Sequence, residues 1–333
     1  MSGQNQRWAL ASRPHGAPAA ENFRLEDQTL APLAPGQVRT AVRYVSIDPT
    51  MRGWMSQVRS YLPPIAIDDV IRAFGVGEVV ESENAAFAVG QHVTGLLGVQ
   101  RFHTGDGRGL TAVDTDLAPL TWYLGPLGMN GITAYFGILE VGAIEPGETV
   151  LVSGAAGATG SLVGQIAKIH GCRVVGIAGG PHKCAHLVDD LGFDGAIDYK
   201  AGRIGRPLRT HCPDGVDVFF DNVGGEILDA ALGCINLRAR VVVCGAISQY
   251  NNTGAVQGPK NYLALLVQRA RMEGFLVLDY LHRSAEAVGP MAQWAHAGKL
   301  QWRETVLDGL ETFPDAFGRL FTGEKLGKLY MAL

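Results

Sequence analysis

The chain has 333 residues, 47% of them hydrophobic and 18% charged, and carries a formal net charge of −4 at pH 7. Its length exceeds a usual single hydrophobic core and predicts two domains, while an acidic balance without any basic run argues against a nucleic-acid-binding surface. No apolar run approaches the roughly 18 residues of a membrane span, and the N-terminal segment lacks the apolar core of a signal peptide. We therefore expect a cytoplasmic protein that binds neither nucleic acid nor membrane.

Short runs of alternating hydrophobic and polar residues dominate the first part of the chain. Residues 38–45 (VRTAVRYV), 75–81 (GVGEVVE) and 92–97 fit strands of a half-buried sheet, in which alternate side chains face the core. We predict a compact β-rich domain over residues 1–124, to which residues 299–333 return with β and short helical patterns.

Strand and helix patterns alternate from residue 125 onward. Helices are predicted over 125–140 and 284–297, and apolar strand-like segments recur at residues 150–153, 173–177, 196–199, 216–220, 240–244 and 272–278. Strands separated by helices in this way are typical of a doubly wound parallel sheet. The predicted fold class is therefore α/β, with a Rossmann domain over residues 125–298 beside the β-rich domain.

Residues 150–168 (VLVSGAAGATGSLVGQIAK) predict a strand, a tight turn and a helix in direct succession. Ala155, Gly157 and Gly160 give the spacing A-x-G-x-x-G, a variant of the dinucleotide-binding motif in which alanine replaces the first glycine. Small residues there allow a tight turn, a close approach of backbone to a pyrophosphate, and a helix N-terminus that faces the anion. An ordinary strand-to-helix turn is the alternative, because such spacing also arises by chance.

The next predicted strand, residues 173–177, ends without the acidic residue that binds a ribose 2′-hydroxyl in NAD-binding chains. Gly179 and Gly180 follow instead, with Lys183 close behind. A glycine-lined gap beside a lysine accommodates a 2′-phosphate, so the sequence favours NADP(H) over NAD(H). A solvated Lys183 in the first turn of a helix is the alternative.

The five cysteines include no C-x-x-C pair and all lie in the second half of the chain: Cys172, Cys184, Cys212, Cys234 and Cys244. That pattern indicates reduced thiols. His182, Cys184 and His186 are close in sequence, but the general base of an H-E-x-x-H site and a fourth ligand are missing. We therefore expect no metal at this segment.

Several sequence blocks, taken together and in order, carry a family resemblance over nearly the whole chain. They are YVSIDPTMRGWM (44–55), GPLGMNGITAYFGILE (125–140), AAGATGSLVGQIAK (155–168), FFDNVGGEILDAAL (219–232) and VCGAISQYN (243–251). The chain resembles the zinc-independent medium-chain dehydrogenases/reductases, and within them the prostaglandin reductase, leukotriene hydroxydehydrogenase and 2-alkenal reductase group. The resemblance implies a GroES-like substrate domain, a Rossmann domain, a homodimer, and NADPH-dependent reduction of a carbon–carbon double bond conjugated to a carbonyl.

The resemblance also implies a set of cofactor-binding residues. For the phosphates it implies Gly157, Ala158, Thr159, Gly160, Lys183 and Tyr199, and it places Lys325 near the cofactor at a position where the family has asparagine. For the ribose and nicotinamide it implies Met129, Thr133, Asn222, Cys244, Gly245, Ala246, Ile247, Ser248, Phe275, Leu276 and Val277. Three residues depart from the family pattern: Thr50 stands where D-P-Y-M-R has tyrosine, Asn130 replaces a common proline, and Lys325 replaces an asparagine.

Catalysis without zinc is the expectation that follows from the same comparison. Zinc-dependent relatives need a cysteine in the first domain, a G-H-E motif and a four-cysteine lobe, none of which occurs here. Negative charge on a substrate carbonyl oxygen must then be stabilised by hydrogen-bond donors, and Tyr250, six residues after a predicted strand, is the preferred donor. The alternative is that Tyr250 only covers the cofactor or points to solvent. A ribose hydroxyl of the cofactor could share the role of donor.

The expected substrate is a small hydrophobic α,β-unsaturated aldehyde or ketone. Two other functions stay open from the sequence: an NADPH-dependent quinone oxidoreductase on the same fold, and a nucleotide-binding protein without turnover. The substrate itself is not fixed by the sequence, because the loops over residues 56–70 and 251–260 have no derivable conformation.

Overall fold

A computed structural model describes residues 3–333, which divide into two compact units. The first unit takes the chain up to Leu124 together with Glu304–Lys325 and Leu329–Leu333. The second takes Gly125–Arg303 and Leu326–Lys328. From the sequence we predict that the chain re-enters the first unit at residue 299, whereas in the structure it re-enters that unit at Glu304.

The physical reason for this shift is a reciprocal hydrogen-bonded pair in the second unit. The Gln301 N–H donates to Oε1 of Gln165 at 2.6 Å, and Nε2 of Gln165 donates back to the Gln301 carbonyl at 3.1 Å. These bonds hold the segment after the last long helix against its own unit.

The N-terminal part of the first unit consists of short strands and one short helix. The elements are β1 (Gln4–Leu10), β2 (Phe23–Thr29), β3 (Val38–Ser46), α1 (Thr50–Trp54), β4 (Gly75–Ser82), β5 (His92–Gly95), β6 (Phe102–Gly105) and β7 (Thr111–Ala112). Short 3₁₀ turns cover Ala20–Asn22 and Leu120–Leu124. The predicted strands are therefore present, with ends that differ by one or two residues.

The second unit alternates strands and helices as the sequence predicts. Its elements are α2 (Met129–Phe136), β8 (Thr149–Ser153), α3 (Ala158–Ile169), β9 (Arg173–Ala178), α4 (Pro181–Ala185), β10 (Gly195–Asp198), α5 (Gly205–His211), β11 (Val216–Asp221), α6 (Gly225–Leu232), β12 (Ile235–Val243), α7 (Leu263–Val267), β13 (Arg271–Gly274) and α8 (Ser284–His296). π-helical turns at Gly137–Val141 and His186–Asp190 continue α2 and α4. Short 3₁₀ segments cover Tyr199–Ala201, Ile247–Gln249 and Val277–Arg283.

The C-terminal segment adds β14 (Glu304–Asp308), a 3₁₀ turn (Leu310–Thr312), α9 (Phe313–Thr322) and β15 (Lys328–Ala332). Strands β14 and β15 join a seven-stranded sheet of order β14-β15-β3-β4-β5-β7, with β6 also paired to β3, while β1 and β2 form an antiparallel ribbon. The β-rich unit expected from the sequence is confirmed.

The sheet of the second unit has the order β10-β9-β8-β11-β12-β13, and every neighbouring pair is parallel. Chain order reverses between β8 and β11, which is the Rossmann arrangement in which ligands bind beyond the carboxyl ends of the strands. The doubly wound α/β prediction is confirmed. Two predicted elements have different bounds: the strand at 272–278 ends at Gly274, and the helix at 125–140 begins only at Met129.

The late start of α2 follows from a turn over the preceding residues. The N–H groups of Gly128 and Gly131 both donate to the Gly125 carbonyl, at 3.2 and 3.1 Å. A Cβ at Gly131 would lie 1.7 Å from the Pro126 carbonyl oxygen, so only glycine permits this close approach. The entry into α2 is consequently fixed by backbone bonds.

Each unit has its own core. In the second unit, alternate residues of each strand face opposite sides of the sheet. Leu151, Phe219 and Val241 share one side, where they pack with Leu208 of α5 and Ile227 of α6. Within the part of the chain that the structure describes, no helix is long and apolar enough to cross a membrane.

In the first unit, the C-terminal segment packs on the N-terminal ribbon. The Trp8 indole N–H donates to the Leu310 carbonyl at 2.7 Å, and the Phe313 ring lies 5.9 Å from Trp8 and 5.0 Å from Phe23. These contacts explain why the end of the chain belongs to the first unit.

Candidate functional site

The turn between β8 and α3 forms a cradle of backbone N–H groups. Gly154 has a φ of +59°, the Gly157 N–H donates to the Gly154 carbonyl at 2.9 Å, and α3 begins at the next residue, Ala158. A Cβ at Gly160 would lie 2.5 Å from the Gly154 carbonyl oxygen, so the helix packs against the turn only because residue 160 is glycine. The first N–H groups of a helix lack intrahelical partners and favour an anion, so this turn fits a phosphate group.

Helix α2 contributes two of the predicted residues beside this turn. The Thr133 hydroxyl donates to the Met129 carbonyl at 2.6 Å, so its single hydrogen is used within the helix and its oxygen can only accept from a ligand. Asn130, between them in sequence, donates from Nδ2 to Oγ1 of Thr159 at 3.1 Å. The sequence singled out Asn130 only as a departure and did not predict this bond.

A second group of predicted residues gathers at the end of β9. A Cβ at Gly179 would lie 2.9 to 3.0 Å from the Tyr199 ring, so the two glycines after β9 leave room that this phenol partly covers. Burial lowers the pKa of Lys183, and the positive charge of nearby Lys200 lowers it further. Lys183, Lys200 and Tyr199 thus come from the segments after β9 and β10, the region where the sequence predicts a 2′-phosphate.

An acidic residue lies in this corner, contrary to the expectation of none. Asp198 ends β10, the parallel neighbour of β9, and its Oδ1 accepts from the Gly180 N–H at 2.7 Å and from the Lys200 N–H at 2.9 Å. The sequence argument considered only residues that follow β9 in the chain, and Asp198 comes from the adjacent strand. Because Oδ1 is held by two backbone donors, the carboxylate joins the turn after β9 at Gly180 to the turn after β10 at Lys200.

The DNVGG segment after β11 is built around the buried carboxylate of Asp221. Ser153 Oγ donates to Oδ1 of Asp221 at 2.7 Å, and the N–H groups of Val223 and Gly224 donate to the same oxygen at 2.9 and 3.0 Å. Burial raises the pKa of Asp221, and these donated hydrogen bonds oppose the rise. The sequence singled out the neighbouring Asn222 and missed Ser153 and Asp221, although an acid closing a buried strand was the available signal.

Asn222 is held by the same network. Its N–H donates to Ser153 Oγ at 2.8 Å, and its Nδ2 donates to the Ser153 carbonyl at 2.7 Å. The side-chain oxygen of Asn222 therefore has a fixed direction at the carboxyl ends of β8 and β11.

The predicted loop after β12 is joined to this segment along its length. The N–H groups of Cys244 and Gly245 donate to the Asp221 carbonyl at 2.9 and 3.1 Å, and the Ile247 N–H donates to the Asn222 carbonyl at 3.3 Å. Ser248 donates from Oγ to the Val223 carbonyl at 2.6 Å. The structure thus brings the predicted residues of both loops together.

The Cys244 thiol lies in this loop. Burial, together with the nearby Asp221, raises its pKa to about 12, so the thiol is protonated at neutral pH and is not a nucleophile.

Tyr250 folds back onto the same loop. Its phenol oxygen accepts from the Ala246 N–H at 3.2 Å, and a Cβ at Gly245 would lie 3.2 Å from that oxygen. The predicted catalytic group is therefore part of the loop predicted to bind the cofactor.

The remaining predicted residues lie after β13 and near the end of the chain. Phe275 leaves the sheet after β13 and packs edge-on against Phe220 at 6.2 Å, while Leu276 and Val277 lead into a 3₁₀ segment. Lys325 falls within the first unit, so its place at the cofactor stays a prediction.

Gly327 belongs to the second unit, where its N–H donates to the Ala156 carbonyl at 3.0 Å and supports the phosphate turn from the side.

No metal cluster is evident among the side chains of residues 3–333, where no group of three or more His, Cys, Asp or Glu is placed to hold an ion. His186 instead pairs through Nδ1 with Oδ2 of Asp190 at 2.6 Å. The prediction that no metal takes part rests on the missing ligand sets and is tested below.

Two protein-family models match the chain: one described as the N-terminal domain of oxidoreductase over residues 6–113, the other as zinc-binding dehydrogenase over residues 158–294. The chain is 43% identical to NADPH-dependent curcumin reductase of Escherichia coli (strain K12), over 98% of this chain and 96% of that protein. It is 42% identical to prostaglandin reductase 1 of Mus musculus, over 98% of both. The crystal structure of CurA from Vibrio vulnificus in complex with NADPH matches with a TM-score of 0.93 at 42% identity, covering 98% of both chains.

Proposed function

Because the chain belongs to the zinc-independent branch of the medium-chain dehydrogenase/reductase family, we propose that it is an NADPH-dependent enone reductase. The reaction reduces the carbon–carbon double bond of small hydrophobic α,β-unsaturated aldehydes and ketones. One observation carries the proposal: the glycine turn at the start of α3 and the pair Lys183 and Lys200 lie at the carboxyl ends of neighbouring parallel strands. The relatives of the chain that support it are named NADPH-dependent curcumin reductase and prostaglandin reductase 1.

The residues of the second unit fit NADP(H). The backbone at the start of α3, Gly157 to Gly160, would hold the pyrophosphate. Lys183 and Tyr199 would hold the 2′-phosphate, and Lys200 would add a positive charge nearby.

The residues expected to hold the ribose and the nicotinamide lie in the loops after β11, β12 and β13 and on α2. They are Met129, Thr133, Asn222, Cys244 to Ser248 and Phe275 to Val277. When bound, NADPH supplies a hydride to the β-carbon of the substrate.

The chain's own chemical task is to stabilise the charge that develops on the substrate carbonyl oxygen. The ligand sets of the zinc-dependent relatives are missing from the sequence, so we expect a hydrogen-bond donor to do this. We assign it to the Tyr250 hydroxyl. The bond from the Ala246 N–H to the phenol oxygen supports this role, because accepting a hydrogen bond polarises the O–H and strengthens it as a donor.

We also propose a homodimer in the cytoplasm. Strand β13 ends the parallel sheet with all four residues exposed, and an exposed edge favours pairing with another chain. Beside it, α7 exposes Leu263, Leu266 and Val267 at 57%, 75% and 66%, an apolar surface of the kind that interfaces cover. The five unpaired cysteines fit a reducing compartment.

A substrate panel tests the proposed activity. NADPH oxidation is followed at saturating cofactor with trans-2-alkenals and enones in one series, and with ortho- and para-quinones in a second. We expect turnover with the first series and a saturated carbonyl product. Turnover with quinones alone would make the protein a quinone oxidoreductase, and no turnover with either series while NADPH binds would make it a nucleotide-binding protein without this activity.

A further inference from the structure

We propose that Asn130 is a positioning residue for the cofactor, which orients the Thr159 hydroxyl so that it donates to the bound pyrophosphate. The inference rests on the proposed function, in which the α3 turn binds NADP(H). It concerns a residue at which this chain departs from its family pattern, since a proline at position 130 has no side-chain donor.

The two side chains come from the first turns of neighbouring helices. Asn130 is the second residue of α2, Thr159 is the second residue of α3, and the two helices pack against each other. Nδ2 of Asn130 donates to Oγ1 of Thr159 at 3.1 Å. Both anchors are rigid, because Gly131 fixes the start of α2 against Pro126 and Gly160 fixes the start of α3 against Gly154.

The direction of the bond determines what Thr159 can do. A threonine hydroxyl has one hydrogen and two acceptor lone pairs, and an asparagine Nδ2 occupies one lone pair. The hydroxyl hydrogen therefore points away from Asn130, and among residues 3–333 it meets no protein acceptor. At the second position of α3 it lies beside the unpaired N–H groups of the first turn, where the helix dipole favours an anion.

Oriented in this way, the Thr159 hydroxyl would add one side-chain hydrogen-bond donor to a pyrophosphate site whose other donors are backbone N–H groups. The Asn130 side chain reaches across from α2 to α3. Asn130 would not touch the cofactor. Its effect passes through Thr159, so the two residues should act as one unit in cofactor binding.

A double-mutant cycle on cofactor affinity tests this coupling without any turnover. Dissociation constants for NADPH and NADP⁺ are measured by calorimetry for wild type, Asn130→Ala, Thr159→Val and the double variant. We expect Thr159→Val to weaken binding about tenfold or more and Asn130→Ala about three- to tenfold. The double variant should equal Thr159→Val within about twofold, because once the Thr159 hydroxyl is gone Asn130 has nothing left to orient.

Two further variants separate positioning from folding. Asn130→Pro restores the family residue and is tolerated in the first turn of a helix, so it should match Asn130→Ala in affinity with an unchanged urea midpoint. Asn130→Asp can only accept, which turns the Thr159 hydroxyl away from the anion and adds a negative charge, so it should weaken binding more than Asn130→Ala does.

The outcomes distinguish this inference from the proposed function. Wild type that binds neither NADPH nor NADP⁺ would overturn both. If wild type binds tightly but the losses in the cycle are additive, the positioning role is overturned and the proposed function stands. The same holds if Asn130→Ala and Asn130→Asp bind the cofactor as tightly as wild type does.

Discussion

The phenol oxygen of Tyr250 accepts a hydrogen bond from the backbone N–H of Ala246 at 3.2 Å. This bond joins the proposed catalytic hydroxyl to the loop that is expected to cover the nicotinamide. In the proposed mechanism, catalysis and cofactor binding therefore depend on the same oxygen atom.

The first prediction concerns Tyr250→Phe, which keeps the ring and removes that oxygen. We expect the turnover rate to fall roughly 5- to 100-fold, because one donor to a developing oxyanion is lost. The Ala246 N–H also loses its acceptor, so the dissociation constant for NADPH should rise roughly two- to tenfold.

Single-turnover rates at saturating NADPH separate the two effects of Tyr250→Phe, with calorimetric affinity measured in parallel. Wild-type rates across several enones would assign the donor role to a ribose hydroxyl or to water, and would leave Tyr250 as a residue that supports its loop.

The second prediction concerns cofactor choice. Lys183→Ala should reduce the preference for NADPH over NADH by roughly tenfold or more, because a charge-assisted contact with the 2′-phosphate is lost. Lys168→Ala is the matched control, since that lysine pairs with Asp194 at 2.8 Å and lies in the last turn of α3, away from the cradle. Comparable wild-type affinity for the two cofactors would contradict the assignment.

The third prediction is a pH dependence of stability from the Ser153–Asp221 pair. Burial raises the folded-state pKa of Asp221 above its unfolded value of about 3.9. The folded state then holds the proton more tightly, so this contribution to stability is present below the unfolded pKa and is lost as pH rises through the folded one.

Asp221→Asn removes the titrating group while an amide oxygen can still accept from Ser153. Urea unfolding of both proteins from pH 4.5 to 7.5 should therefore show the stability of wild type falling relative to the variant as pH rises. Parallel curves over the whole range would contradict the raised pKa.

The fourth prediction is that no zinc takes part. The chain lacks the cysteine of the first domain and the four-cysteine lobe of its zinc-dependent relatives, although one matched family is described as zinc-binding. Activity should survive prolonged chelation, and elemental analysis should find no stoichiometric metal. One zinc per chain, with activity lost on chelation, would require a metal in the reaction.

The elements that sequence reasoning predicted well are those with a strong local pattern. Strands such as β8 and β11 are buried on both faces and appear as continuous apolar runs, and α8 begins at the predicted residue. The phosphate turn was also predictable, because its glycines are required by contacts within a few residues of each other, as at Gly154 and Gly160.

The contacts that sequence reasoning missed join residues far apart in the chain. Asp198 reaches Gly180 through the pairing of β9 with β10, Ser153 reaches Asp221 across β8 and β11, and Asn130 reaches Thr159 between two helices. Each depends on which strand or helix lies beside which, and no local spacing encodes that. The end of β13 at Gly274 was missed for a similar reason, since Phe275 turns away to pack against Phe220.

The transfer of deuteride from stereospecifically 4-deuterated NADPH to a trans-2-alkenal tests the central claim most directly. Mass spectrometry and NMR of the product locate the label. We predict a saturated aldehyde with one deuterium on the β-carbon and one NADPH consumed per product. An allylic alcohol with deuterium on the former carbonyl carbon, or NADPH oxidation that leaves the double bond intact, would contradict carbon–carbon double-bond reduction as the activity of this protein.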